Sequence, residues 1–375
     1  MRILRPILWL VFAAVLLGLA GGGVYLWFKV DDWVQPVLYP INQDYVGYST
    51  VPEKVPGLRL TPLECKGWDG GDMTAFIVER APEGDESSRQ LSVMADLATS
   101  PAKRLHRIDY VLVCVDWDHG IRSALPLAET LTAAGLRCVL WEPRGAGNRR
   151  PYCTHGLKES ADVPMIINAL VETSGKEKPV IIGVGQGYGA GLMLQAAARD
   201  PRLSGLVSVD AFVSLQEAVR HTLPDTPLRP LCIWLMDLKI SSIVGFECFD
   251  VAPVESAARI DRNVPVLAVN LVRDSLVCSV KDAFTIYRQL KSDKRAVRTL
   301  RSAEDAPDAT TRVFTFKEGK ENKEREVTVE VGLMDDVDSA WTGVIHWLND
   351  DLVDSLENPP VLVPERPVLS PTQHL

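Results

Sequence analysis

Residues 180–201 read VIIGVGQGYGAGLMLQAAARDP. Val180 to Val184 is a short, continuous apolar run rich in β-branched residues, the pattern of a strand buried on both faces. A glycine turn follows at once, Gly185-Gln186-Gly187-Tyr188-Gly189-Ala190. From Tyr188 to Arg199 the sequence turns to Ala, Leu and Met, which predicts a helix, and Asp200-Pro201 stops it. A buried strand feeding a helix through a tight turn is half of a parallel crossover unit, so the rest of the chain is read for its partners.

Those partners lie on both sides. Leu58 to Glu64 and Met73 to Val78 read as strands joined through the turn Gly67-Trp68-Asp69-Gly70-Gly71. Tyr110 to Val115 is a continuous apolar strand. Leu125, Ala128 and Leu131 mark a helix face that Gly135 ends. Arg137 to Trp141, Leu206 to Val209 and Val264 to Leu271 are further strands. Ile166, Ala169 and Leu170 mark one intervening helix, and Val280, Ala283, Phe284 and Tyr287 another. Trp341, Val344, Ile345, Leu348 and Leu352 give a final amphipathic helix. Short apolar strands alternating with helices predict an α/β domain whose mostly parallel sheet, of about eight strands, is covered on both faces.

The N-terminus is of another kind. Ile7 to Phe28 contains no charged residue, and as a helix it spans about 33 Å, enough for a bilayer core. Arg2 and Arg5 precede it, so the N-terminus is expected in the cytoplasm and the domain outside. The alternative is a cleaved leader with Gly18-Leu19-Ala20 as its small-residue site, but the apolar run continues past it to Phe28. The expected organisation is an anchor over 1–29, a connector over 30–57, the domain over 58–357 and a Pro-rich tail over 358–375. Within the domain, 221–253 is a lid candidate. Residues 311–331 are a hairpin insertion whose charged run Lys317 to Glu326 reads as a solvated tip.

Composition removes several function classes. The chain has 375 residues, a net charge of −9 and 46% hydrophobic residues. A net acidic chain of this kind is no match for nucleic acid as the main partner. The seven cysteines contain no C-x-x-C spacing, so zinc and dithiol readings lack support, and Cys114 and Cys138 read as buried thiols. No cofactor motif and no metal-ligand spacing is present; cofactors and metals are expected to be none.

Four local motifs stand at strand ends in a fixed order. Asp118-His119-Gly120 follows the Tyr110 strand. Glu142-Pro143-Arg144-Gly145-Ala146-Gly147 follows the Arg137 strand. Gly185 to Ala190 follows the Val180 strand, and Arg273-Asp274-Ser275-Leu276-Val277 follows the Val264 strand. In this order they resemble the α/β-hydrolase superfamily, and within it bacterial membrane-anchored serine hydrolases of the esterase or peptidase kind. The resemblance implies an α/β-hydrolase fold. It also implies an oxyanion-side loop at His119, Gly120 and Ile121, a nucleophile elbow G-x-S-x-G at Gly185 to Gly189, and an acid at Asp274.

The chemistry of that family needs a hydroxyl, an imidazole to take its proton and a carboxylate to orient the imidazole. Here the nucleophile position is Gly187, and a shift of two residues lands on Gly185. The base position falls in Gly332 to Asp338, which holds no histidine. His346 lies in the final helix, off its apolar stripe, and reads as a surface residue. Asp274 alone remains of the triad, while the backbone N–H of Tyr188 and one near Gly120-Ile121 could still hold a carbonyl or carboxylate oxygen. The leading expectation is therefore a membrane-anchored, non-catalytic protein that binds an unidentified small molecule or protein partner. One alternative is a hydrolase with an unconventional site drawn from Asp210, Asp274, His155 or His221. The other is an envelope structural protein.

Overall fold

A computed structural model describes residues 4–38, 55, 57–82, 105–114, 120–144, 152–245, 247–272, 280–292, 295–302, 312–318, 325–334, 344–353 and 356. His119, Asp274, residues 335–338 and the tail 358–375 lie outside the described residues, and so do the finer expectations attached to them.

Among the described residues the sheet has ten strands in the order β1-β4-β6-β5-β7-β8-β9-β10-β12-β11. These are β1 (Leu58–Pro62), β4 (Ala75–Arg80), β5 (Tyr110–Cys114), β6 (Cys138–Trp141), β7 (Ile181–Gln186), β8 (Leu203–Val209), β9 (Val266–Val272), β10 (Arg295–Ser302), β11 (Arg312–Glu318) and β12 (Arg325–Met334). β6, β5, β7, β8, β9, β10 and β12 run parallel, while β1, β4 and β11 are antiparallel to their neighbours. A separate small ribbon pairs β2 (Cys65–Lys66) with β3 (Asp72–Met73). The Tyr110 and Val180 strands are direct neighbours, with Tyr110 opposite Ile181 and Cys114 opposite Gly185.

The expectation of about eight strands is corrected to ten. β10, with arginines at 295, 298 and 301, shows neither an apolar run nor a period of two, so it is hidden in the sequence. The expected hairpin at 311–331 exists. However, β12 pairs in parallel with β10, so the hairpin continues the central sheet as its edge.

Alternation along each parallel strand divides the core into two layers. Tyr110, Leu112 and Cys114 face α3 (Val163–Ser174), α4 (Tyr188–Ala197) and α8 (Val280–Gln289). Val111 and Val113 face α2 (Gly120–Ala133) and the last helix, which contains a π-helical turn at Leu348–Leu352. Burying side chains such as Ile166, Ile167, Leu170 and Leu131 contributes about 1.5–3 kcal/mol each.

A third apolar cluster joins α1 (Leu4–Leu38) to α5 (Leu215–Thr222) and α6 (Arg229–Val244), with α7 (Pro253–Ala257) following. The connector expected from residue 30 therefore begins later, because α1 runs on to Leu38. Val30, Val34 and Val37, at helical spacing, form a stripe that packs on α5 and α6. The lid candidate 221–253 consists mainly of α6. Among the described residues no helix is long and apolar enough to cross a membrane; most side chains of α1 before Ala20 lie outside them.

Candidate functional site

The turn between β7 and α4 is the centre of the candidate site. Gly187 has φ 55° and ψ −119°, a left-handed backbone that a β-carbon disfavours by about 1 kcal/mol. Its N–H donates to Val209 O at 2.8 Å, and its carbonyl accepts from Ala190 N at 3.1 Å. The turn is thus tied to the end of β8 on one side and to the first turn of α4 on the other. Gly185 serves a different purpose. A β-carbon there would stand 2.5 Å from Ala190 Cα and 2.6 Å from Ala190 N, so its absence lets α4 cross directly over the strand end.

Gly187 occupies the tight strand-to-helix turn, where the nucleophile of the resembled family would stand. Tyr188 starts α4 with its side chain buried, its ring edge-on to His155 at 5.9 Å and 89°. Burial pushes the Tyr188 phenol well above its usual value. Gly120 and Ile121 open α2, and Ile121 is buried under the sheet. The pairing of Cys114 with Gly185 brings the end of β5 beside the elbow. His346 is exposed between the buried Val344 and Trp347.

The spare acid and base candidates separate. Asp210 follows Val209, the residue that holds Gly187. It has φ 53°, an unusual backbone for a non-glycine residue, and its N–H donates to Val269 O at 2.8 Å. His221 is exposed near the end of α5.

His155 is fully buried, also with positive φ, which corrects its reading as a loop base able to activate water. Its Nε2 lies 2.9 Å from Val37 O at the end of α1, so that nitrogen carries the proton and donates. Its carbonyl accepts from Gln195 Nε2 of α4 at 2.9 Å. Burial pushes the imidazole down to about 4. His155 therefore fastens α1 to the helix that follows the elbow. The sequence around it, Cys153-Thr154-His155-Gly156, has no period that reports burial. The nearby Glu159 is also buried; it accepts from Thr154 N, Thr154 Oγ1 and Gly156 N at 2.6–2.8 Å and so folds that segment on itself.

The motif Glu142 to Gly147 contributes a buried cation. Arg144 Nη1 pairs with Asp69 at 2.7 Å and Nε with Asp162 at 3.3 Å. Its guanidinium lies over the Trp68 ring at 5.4 Å, and Trp68 N–H donates to Asp162 Oδ1 at 3.0 Å. The glycine-rich turn 67–71, read only as a strand connector, is the other half of this clasp. A cavity of about 730 Å³ lies away from the elbow, between β1–β4 and α3, lined by Leu63, Met73, Phe76 and Met165 among others.

No family model matches the chain, and no curated protein matches it either. Solved structures do. An esterase of Pyrococcus furiosus aligns at 12% identity and TM-score 0.49, covering 83% of this chain and 97% of its own. An acylaminoacyl peptidase of Pyrococcus horikoshii aligns at 12% and 0.44, covering 66% of this chain and 37% of its own. A 2,6-dihydroxy-pseudo-oxynicotine hydrolase aligns at 16% and 0.43, covering 65% and 61%. A likeness at this level says nothing of activity. The strand order, the parallel crossovers and the elbow at Gly187 make the architecture that of an α/β-hydrolase fold.

Proposed function

We propose that this chain is a membrane-anchored α/β-hydrolase-fold protein that binds a ligand or partner at its elbow without hydrolysing it. One observation carries the reading: Gly187 holds the elbow backbone, φ 55° and ψ −119°, with no side chain to act as a nucleophile. Gly332 to Asp338 supplies no histidine. An acyl-transfer site lacking both hydroxyl and base has no group to attack a carbonyl. The backbone N–H of Tyr188, at the start of α4, is the group assigned to an incoming carbonyl or carboxylate oxygen. Asp274 stands in the sequence as a remnant of the acid position, and His119-Gly120-Ile121 as the oxyanion-side motif. Labelling with a fluorophosphonate probe, alongside a screen of ester substrates, tests the reading; it requires no labelling and no turnover.

The anchor supports the second half of the proposal. Phe12, Leu16, Val24, Tyr25 and Phe28 of α1 are exposed within the uncharged run Ile7 to Phe28, and an exposed apolar helix surface of this extent calls for cover, which a bilayer supplies. The basic residues Arg2 and Arg5 set the N-terminus in the cytoplasm and the domain outside, as in a bacterial inner membrane with a periplasmic domain. Resistance of the chain to alkaline carbonate extraction tests the anchoring.

Asp210 favours a second reading, hydrolysis by a directly activated water. Its strained backbone beside the elbow is the kind found at functional sites. Ester turnover without probe labelling, abolished in Asp210→Asn, would establish it in place of the first.

A further inference from the structure

The outward face of α6 carries no charge. Positions 231, 234, 235, 238 and 242 share one arc of the helix and are Leu, Trp, Leu, Leu and Ser. Trp234 is 59% exposed, and Leu231 and Leu238 are exposed beside it. The opposite side is apolar too: Ile233, Met236 and Ile240 are buried against α1 and α5. Asp237 and Lys239 sit on the flanks between these two sides, and a helix whose outward arc is apolar as well as its packed side has that arc in a core, a partner or a lipid phase.

Its position beside α1 decides between these. Lys239 pairs with Asp31 of α1. It donates to Trp27 O at 3.4 Å and lies over the Trp27 ring at 4.5 Å. At the other end, Tyr152 Oη donates to Val244 O at 3.2 Å while the adjacent Cys153 N donates to Leu38 O at 2.9 Å. The two helices therefore run in the same direction, with Val244 near Leu38; at about 1.5 Å per residue Lys239 stands near residue 33, and its side chain reaches back to Asp31 and Trp27. Leu231 and Trp234 lie farther along, about 7–12 Å beyond Lys239 at 1.5 Å per residue, beside the part of α1 where Val24, Tyr25 and Phe28 are exposed. At the start of α6, Arg229 pairs with Asp225 at 2.9 Å, and Asp225 is 87% exposed. A charge pair there limits the depth to the headgroup zone.

We infer that α6 is a second membrane contact: its Leu231–Trp234–Leu238 face inserts shallowly into the leaflet that α1 leaves. The occupant is the boundary between phospholipid headgroups and acyl chains, where Trp is favoured. The elbow domain would then be held by two helices at a fixed tilt instead of swinging on one. This inference rests on the anchoring proposed above, and its test separates the two.

The full chain is reconstituted in phosphatidylcholine vesicles whose acyl chains are brominated near the carbonyl end, and tryptophan quenching is compared with that of Trp234→Phe. Trp9 and Trp27 report the anchor, and Trp234 reports α6. The expected result is quenching in both proteins, reduced by roughly one third in Trp234→Phe if three tryptophans share the interface. Equal quenching in both would overturn the α6 contact while leaving the anchor intact; no quenching in either would remove the anchor and the contact together. Two chains per nanodisc at high lipid excess, lost in Leu231→Glu/Leu238→Glu, would assign the face to a second copy and also overturn it.

Discussion

Glycine at 187 and glycine at 185 look equivalent in the sequence and differ in the structure. Gly187 answers to its backbone angles, so Gly187→Ser should cost about 1 kcal/mol, leave the fold intact and gain no reaction with a fluorophosphonate. Gly185 answers to the backbone of α4 at 2.5–2.6 Å. Gly185→Ala should cost about 3 kcal/mol, read as a much larger drop in denaturation midpoint than Gly187→Ser. Equal losses would contradict the assignment of roles. His155 gives a pH signature. Its buried ring is held neutral down to about 4, whereas an unfolded chain takes up that proton near pH 6.5. The stabilisation is thus complete above pH 6.5 and is lost as pH falls towards 4, on the order of 2 kcal/mol by pH 5. Glu159, whose carboxyl burial raises, acts in the opposite sense, so the comparison must be with a variant. His155→Asn, which tolerates positive φ, should melt well below the parent at pH 7.5 and closer to it at pH 5; a constant gap would refute the assignment.

Among elements, legibility followed periodicity. The β5, β7 and α4 segments were readable because buried parallel strands are continuous apolar runs and helices carry a stripe; the β5–β7 adjacency was legible only from the motif order, which requires the elbow and the oxyanion-side loop to meet. β10 was not readable, since arginines interrupt its pattern. The continuation of α1 through Val30, Val34 and Val37 was missed because Pro36 and the two aspartates before it masked a stripe that only α5 and α6 make meaningful. At the site, Gly187 and Tyr188 were legible as positions in a motif. The burial of His155 and the Arg144 clasp depend on contacts between distant segments that no local pattern encodes. That clasp joins the β6 end, the turn before β3 and the start of α3. Removing the cation leaves Asp162, which is fully buried, without its guanidinium. Arg144→Ala should therefore cost about 3 kcal/mol, and Arg144→Lys should recover little, because an ammonium cannot span both carboxylates and the Trp68 ring. Chemical denaturation of the three proteins checks the ranking.

The whole molecule couples the N-terminal helix α1 to an α/β domain through its third apolar cluster and through His155, so α1 ends next to the helix that follows the elbow. A reporter enzyme fused after Leu352 should be active outside the cytoplasm and inactive when Arg2 and Arg5 are both replaced and basic residues are placed after Phe28; activity inside would reverse the proposed topology. The central claim is that an elbow built on glycine binds and does not acylate. Its most direct measurement is mass-spectrometric detection of a fluorophosphonate adduct on the full-length protein, run beside Gly187→Ser and beside Gly187→Ser combined with a histidine introduced between Gly332 and Asp338. No adduct is expected on the first two proteins, and an adduct at residue 187 only where the histidine also reaches the Asp274 carboxylate. A stoichiometric adduct on the unmodified chain would contradict the central claim.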